Sequence, residues 1–299
     1  MVTIAHVINP VRVPATSDLH AAQPVTFESM RIAQRFAAPR AAGELAVDLY
    51  AARFAEDAPA APADFRPLPL LERSVLDVGR FQAQRKLPLL ADILERLYAA
   101  AGDADYLVYT NVDIALQPHF YLALARFTAS GRDAFVINRR TISARHTQIA
   151  DLPQMWAEVG APHRGWDCFV FPRALLPRFR LGHVCIGATR VGLALLANMA
   201  AYGRSFHEFT DAHLTFHIGD ERAWLNPQFA DYDAHNTREL LAILAAIEAE
   251  VGPFDRRSIP GSFLLRRRAL GPLYDRWARS VYLPPALSRA LNRLLRGGA

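Results

Sequence analysis

Asn111-Val112-Asp113 sets two oxygen-bearing side chains two residues apart, directly after the apolar run Leu107-Val108-Tyr109. Leu, Val and Tyr are the residue types of a strand buried on both faces. The spacing therefore predicts a strand over Asp105–Thr110 with two ligand-type side chains at its C-terminal end, where open α/β sheets hold their ligands. Two hard oxygen ligands so placed suit Mg²⁺ or Mn²⁺ shared with phosphate oxygens. Asn and Asp also turn loops with no further role, and that reading stands beside the first.

Three further groups can carry chemistry. His217 ends an alternating run in which Ala212, Leu214 and Phe216 interleave with His213, Thr215 and His217. Such alternation predicts a strand, so His213 and His217 stand roughly 13 Å apart and cannot share an ion. His217, at the strand end, is the better ligand; a hydrogen-bonded surface histidine is the plain alternative. Asp167, between Gly165-Trp166 and the apolar run Cys168–Phe171, is placed to act as a general base, orient a hydroxyl or bind metal, or simply to turn the chain. Arg80, Arg85, Lys86, Arg139 and Arg140 have the chemistry to neutralise a diphosphate. Glycine-rich phosphate loops (GxxxxGK[ST], GxGxxG), a GxSxG elbow and an HExxH pair are all missing. Their absence counts against P-loop enzymes, Rossmann dehydrogenases, α/β-hydrolases and zincins.

The elements that must position these groups read as strand–helix alternation. Thr3–Ile8 is a first strand stopped by Asn9-Pro10. A helix is expected over Pro24–Ala33 and a second strand over Glu44–Leu49. Pro59, Pro62, Pro67 and Pro69 predict an exposed loop. Leu87, Leu90, Leu94 and Leu97 predict a helix over Gln84–Ala99 with Pro88 in its first turn. Pro118 opens another helix, and Ala134–Asn138 forms a strand followed by Arg139-Arg140. A helix over Val191–Ala201 follows. Asn236-Thr237-Arg238-Glu239 reads as a capping box opening a helix that closes near Gly252. The alternation argues for a layered α/β domain.

Charge divides the 299 residues unevenly. Residues 256–299 hold ten Arg and one acid, Asp275, for +9, which leaves −4 on residues 1–255 against the total of +5. The tail mixes Arg with Leu: Leu287, Leu291, Leu294 and Leu295 share one helical face, with Arg289, Arg293 and Arg296 largely off it. That pattern fits a helix lying on an anionic bilayer surface or docked on the body. With no nucleic-acid module beside the charge, nucleic-acid binding is not expected. No stretch reaches the roughly 18 consecutive apolar residues of a membrane span. The N-terminus lacks a basic n-region and cleavage site, and Cys168 and Cys185 form no CxxC motif. The expectation is a reduced, cytoplasmic protein, peripheral at the inner face of the membrane if the tail binds there.

In order along the chain, the Asn9-Pro10 strand end, the basic Arg85-Lys86 helix start, Asn111-Val112-Asp113 in the place of a DxD motif and the late His217 resemble the GT-A superfamily of nucleotide-diphospho-sugar glycosyltransferases. The resemblance spans about residues 1–235 and implies a Rossmann-related α/β sandwich with a central mixed, mostly parallel sheet. The catalytic domain would cover residues 1–255, with residues 256–299 as a basic amphipathic segment. It implies that Asp113 and His217 contact Mn²⁺ or Mg²⁺ on the donor diphosphate. Asn9, Pro10, Arg85, Lys86, Thr110, Asn111 and Arg139 would line the nucleotide-sugar, and Asp167 would serve as the acceptor-side base. Asn111 departs from the motif's first Asp and brings no charge. The reaction implied is sugar transfer to the hydroxyl of a saccharide or lipid-linked acceptor. A metal-dependent nucleotidyltransferase or phosphohydrolase, or an inactive membrane-associated scaffold, is the alternative.

Overall fold

The computed structural model describes residues 1–41, 43–219 and 226–252. The basic segment 256–299, and with it the amphipathic-helix expectation, lies outside the described residues. Strands β1 (Val2–Ile8), β2 (Leu45–Ala51), β3 (Arg66–Pro67), β4 (Tyr106–Thr110), β5 (Ala115–Leu116), β6 (Ala134–Ile142), β7 (Ala161–Pro172), β8 (Phe206–Phe209) and β9 (Thr215–Ile218) form one sheet. Its order is β3-β2-β1-β4-β7-β6-β9-β5, with β8 also on β6. Pairs β1–β2, β1–β4, β2–β3, β6–β8 and β6–β9 are parallel. Pairs β4–β7, β6–β7 and β5–β9 are antiparallel. The sheet is therefore mixed and mostly parallel, as the resemblance implies. Because β7 runs against both β4 and β6, those two point the same way, so β1, β4, β6 and β9 end along one edge.

Helices α1 (Asp18–Arg40), α2 (Leu90–Ala100), α3 (Phe120–Ala129), α4 (Leu152–Ala157), α5 (Val191–Tyr202) and α6 (Ala230–Val251) accompany the sheet. The main core joins Ile4, Ile8 and Val108 of the sheet to Met30 of α1 and Phe120, Tyr121 and Leu124 of α3. Burial of this kind is the principal stabilising term, at about 25 cal/mol per Å² of apolar surface. No described helix is long and apolar enough to cross a membrane.

Several elements depart from their sequence-predicted bounds, each for a tertiary reason. Helix α1 begins before Pro24, because the buried Gln23 side chain ties that turn to the backbone N–H and carbonyl of Val11. Helix α2 starts only at Leu90, since Pro88 and Leu89 are extended and bridge Ser74 and Cys185. Arg85 and Lys86 thus precede a helix rather than open one. The proline-rich segment is not simply exposed: Phe65, Leu68 and Leu71 are buried, and Arg66–Pro67 extends the sheet. Strand β9 begins at Thr215 because His213 adopts φ 49°, in the left-handed region. Asn236 caps nothing. It lies inside α6, where its amide receives the Cys185 N–H and donates to the carbonyls of Cys185 and Thr189.

Candidate functional site

Beyond Thr110, β4 gives way to a turn that carries Asn111 and Asp113, and the end of β9 brings His217 to it. His217 Nε2 lies 3.1 Å from Asp113 Oδ2, while His217 Nδ1 lies 2.8 Å from the Gly219 carbonyl. A carbonyl can only accept, so Nδ1–H donates to it; Nε2 donates to the Asp113 carboxylate while it also carries a proton, and offers a lone pair once that proton is lost. The other carboxylate oxygen, Asp113 Oδ1, is enclosed with no hydrogen-bond partner. Burial pushes the Asp113 carboxyl up, but the His217 hydrogen bond and the charges of His217 and Arg139 outweigh it and hold the group below its ordinary value.

Asp167 reaches the same edge through an irregularity in β7. Ile137 pairs with Cys168 and Asn138 with Trp166, so Asp167 is the extra residue of a β-bulge. Bulges re-aim side chains, and this one turns Asp167 toward Arg139, whose Nη1 donates to Asp167 Oδ1 at 2.9 Å. Both side chains are buried, at 5% and 9% exposure. Asp167 Oδ2 and the Nε and Nη2 donors of Arg139 remain enclosed without hydrogen-bond partners. These two donors form the side-on fork of a guanidinium, a match for two oxygens of a phosphate or carboxylate.

Tyr109 lies beneath this group. Its hydroxyl donates to Asn111 Oδ1 at 3.0 Å, and burial, reinforced by the charges of Asp113 and Asp167, raises its pKa far above the ordinary range. Tyr109 is therefore a permanent donor that fixes Asn111. His163 Nδ1 accepts the Gly165 N–H at 2.9 Å and sits 3.7 Å from Asp167 Oδ2. A Cβ on Gly165 would fall 2.5 Å from His163 Cε1, so a larger residue here would displace the His163 ring. Sequence reasoning missed Tyr109 and His163. Only their proximity in the chain to Asn111 and Asp167 marked them out.

The structure thus brings together Asn111, Asp113, Arg139, Asp167 and His217, and sets other expected residues elsewhere. Thr110 faces inward: its hydroxyl lies 2.9 Å from His6 Nε2, and His6 Nδ1 is 2.9 Å from the Tyr121 hydroxyl. Asn9 ends β1 on the same edge, but its amide donates to the Ala52 carbonyl; Pro10 is buried. Lys86 pairs with Glu56 at 2.5 Å, and Arg85 stacks over the Phe229 ring at 4.1 Å. Arg140 is tied to Asp211 and to the carbonyls of Val159 and Gly160, which makes it a loop clamp. His213 approaches Gln117, apart from His217. A groove of about 580 Å³ between α2 and α6, lined by Tyr98, Leu176, Phe179 and Ile243, involves none of these groups.

Among the described residues no three His, Cys, Asp or Glu side chains cluster as a metal cage. The Asp113–His217 pair nonetheless fits two positions of an octahedral ion. Adjacent ligands at about 2.1 Å from such an ion stand about 3 Å apart, close to the 3.1 Å observed. A ligating imidazole that donates its other N–H to a carbonyl is the usual supporting arrangement, and Mg²⁺ commonly takes its remaining ligands from phosphate and water.

No protein-family model matches the sequence, and no curated protein sequence matches it. Several solved structures are similar to the fold in outline. A structure of S. aureus TarS (residues 1–349) with UDP-GlcNAc is 7% identical, with 83% of this chain and 73% of that one covered at a TM-score of 0.45. The chain covers 44% of a longer TarS structure. Drosophila β-1,4-galactosyltransferase 7, as a mutant with manganese, UDP-Gal and xylobiose, is 13% identical over 74% of this chain and 72% of that one, at a TM-score of 0.40. A 4-diphosphocytidyl-2C-methyl-D-erythritol synthase of Anaerococcus prevotii is 7% identical over 78% and 98%, at a TM-score of 0.36. These are distant likenesses, and the functional reading rests on the site itself.

Proposed function

We propose that this protein transfers a sugar from a nucleotide-diphosphate donor to an acceptor hydroxyl. One observation carries the reading: two carboxylates, a guanidinium fork and a histidine converge at the strand ends, with polar atoms on three of them enclosed and unpartnered. Buried polar groups without partners are costly, and a ligand rich in oxygen would satisfy both the donors and the acceptors.

In this reading Asp113 and His217 hold Mn²⁺ or Mg²⁺, which would supply positive charge to the leaving diphosphate. Arg139 offers its Nε and Nη2 donors to phosphate oxygens, adding fixed charge where negative charge develops. Asn111, pinned by Tyr109, contacts the donor ribose or a water beside the ion. Asp167 keeps Oδ1 on Arg139 and turns Oδ2 to the acceptor hydroxyl as general base. Asn9 and Pro10 border the donor at the end of β1. Arg85 and Lys86 add positive charge on that side, Lys86 by exchanging Glu56 for phosphate. The catalytic unit is residues 1–255. Residues 256–299 bind an anionic membrane surface from the cytoplasmic side, which would favour a lipid-linked or surface-polysaccharide acceptor.

A thermal-shift screen of nucleotide-diphospho-sugars with and without Mn²⁺ tests the assignment, because a ligand of the native state raises its stability by mass action. The expected result is a rise with at least one nucleotide-sugar, enhanced by Mn²⁺ and lost in Asp113→Ala. Full transfer activity in Asp113→Ala, or no response to any nucleotide-sugar, would overturn it.

A further inference from the structure

Beside the Asp167 bulge, Asn138 and Trp166 stand opposite one another in the β6–β7 register. Both donate to the same oxygen of Glu208, which lies on the neighbouring strand β8: Trp166 Nε1 at 2.8 Å and Asn138 Nδ2 at 2.9 Å from Oε1. The second carboxylate oxygen, Glu208 Oε2, and the amide oxygen Asn138 Oδ1 are enclosed with no hydrogen-bond partner. Asn138 is 3% exposed. Trp166 and Glu208 are partly exposed, which places the cluster just beneath the protein surface.

The chemistry of the cluster is one-sided. Its two donors converge on Oε1, which leaves two acceptors and nothing to donate to them. An oxyanion is excluded as a ligand by repulsion from Glu208. A group with adjacent hydroxyls fits, because each O–H can donate to one of the two oxygens. Burial raises the Glu208 carboxyl above its ordinary value, against the pull of the Asn138 and Trp166 hydrogen bonds. Trp166 directly precedes Asp167 along β7, so the cluster lies on the strand that carries the proposed base.

We infer that Glu208 and Asn138, held in place by Trp166, form a subsite for a neutral saccharide whose neighbouring hydroxyls donate to Glu208 Oε2 and Asn138 Oδ1. This rests on the transferase reading and names its acceptor class. The probes are the methyl glycosides of glucose, galactose and N-acetylglucosamine, titrated against the intrinsic tryptophan fluorescence of the full chain. A saturable change is expected with at least one glycoside, its half-saturating concentration rising about tenfold or more in Glu208→Gln, which puts a donor where the acceptor was. No response to any glycoside, an equal response in the variant, or a response to Mg²⁺ or ammonium alone would overturn the inference. Should Glu208→Gln not fold, hydrogen exchange of the unaltered protein decides: saccharide must slow exchange in 134–140 and 206–209, and unchanged exchange overturns it. The nucleotide-sugar thermal shift is run alongside. A nucleotide-sugar shift without a saccharide response defeats this inference alone, and a saccharide response without that shift defeats the donor reading alone.

Discussion

Arg139 and Asp167 form an ion pair almost wholly removed from water, and removing one partner from such a pair leaves an uncompensated charge. Arg139→Ala is expected to destabilise the protein by about 3–5 kcal/mol, read from denaturant midpoints. Arg139→Met combined with Asp167→Leu should recover most of that loss while abolishing transfer. If the single and double variants were equally unstable, the pair would not be the source of the cost. His6 makes a pH-dependent prediction of the opposite kind. Burial depresses its pKa to about 3, so the folded protein keeps the ring neutral while the unfolded chain protonates it below its ordinary value. The stability tied to this group is complete above about pH 6.5. It is lost as pH falls toward the folded value, at about 1.4 kcal/mol per unit. Urea midpoints between about pH 7 and pH 4 should show a steeper decline for the unaltered protein than for His6→Asn.

Asn236 shows how an element can be bent to a use its sequence does not advertise. An asparagine within a helix costs helix propensity, yet here it secures residues 185–189, the loop leading into α5, through three hydrogen bonds. Asn236→Ala leaves those groups unpaired and should cost about 1–3 kcal/mol, with faster hydrogen exchange confined to that loop and α6. Uniform destabilisation without local exchange would contradict the loop-securing role. The β7 bulge is the other decisive local feature. Without it Asp167 would follow the regular alternation of its neighbours, and the Arg139 contact would not be set by this register.

Along the whole chain, the basic excess and the site residues fall in different segments. The basic excess lies in residues 256–299, while residues 1–255 carry −4. Deleting residues 256–299 should therefore abolish binding to anionic vesicles while leaving the nucleotide-sugar thermal shift in place. Vesicle binding by the full chain should fall with ionic strength, since each surface arginine contributes about 1 kcal/mol and added salt screens it. Salt-insensitive binding, or binding retained after deletion, would count against the membrane role.

The sequence by itself determined the strands that carry chemistry, because apolar runs ended by Asn9-Pro10 and by Asn111-Val112-Asp113 have one economical reading. It also determined that strands are layered with helices, through the alternation of periods 2 and 3.6; the mixed sheet followed only from the resemblance. It left out the start of α2, the reach of α1 past Pro24 and the role of Asn236, since each depends on a distant partner: Cys185, Val11 and the 185–189 loop. Only the tertiary structure decided that Thr110 faces the core, that Arg139 rather than Arg140 joins Asp167, and that Asp113 meets His217 across 104 positions of chain. A bulge and a parallel register settle such pairings, and both come from how strands pack on one another, which no local pattern in the chain encodes.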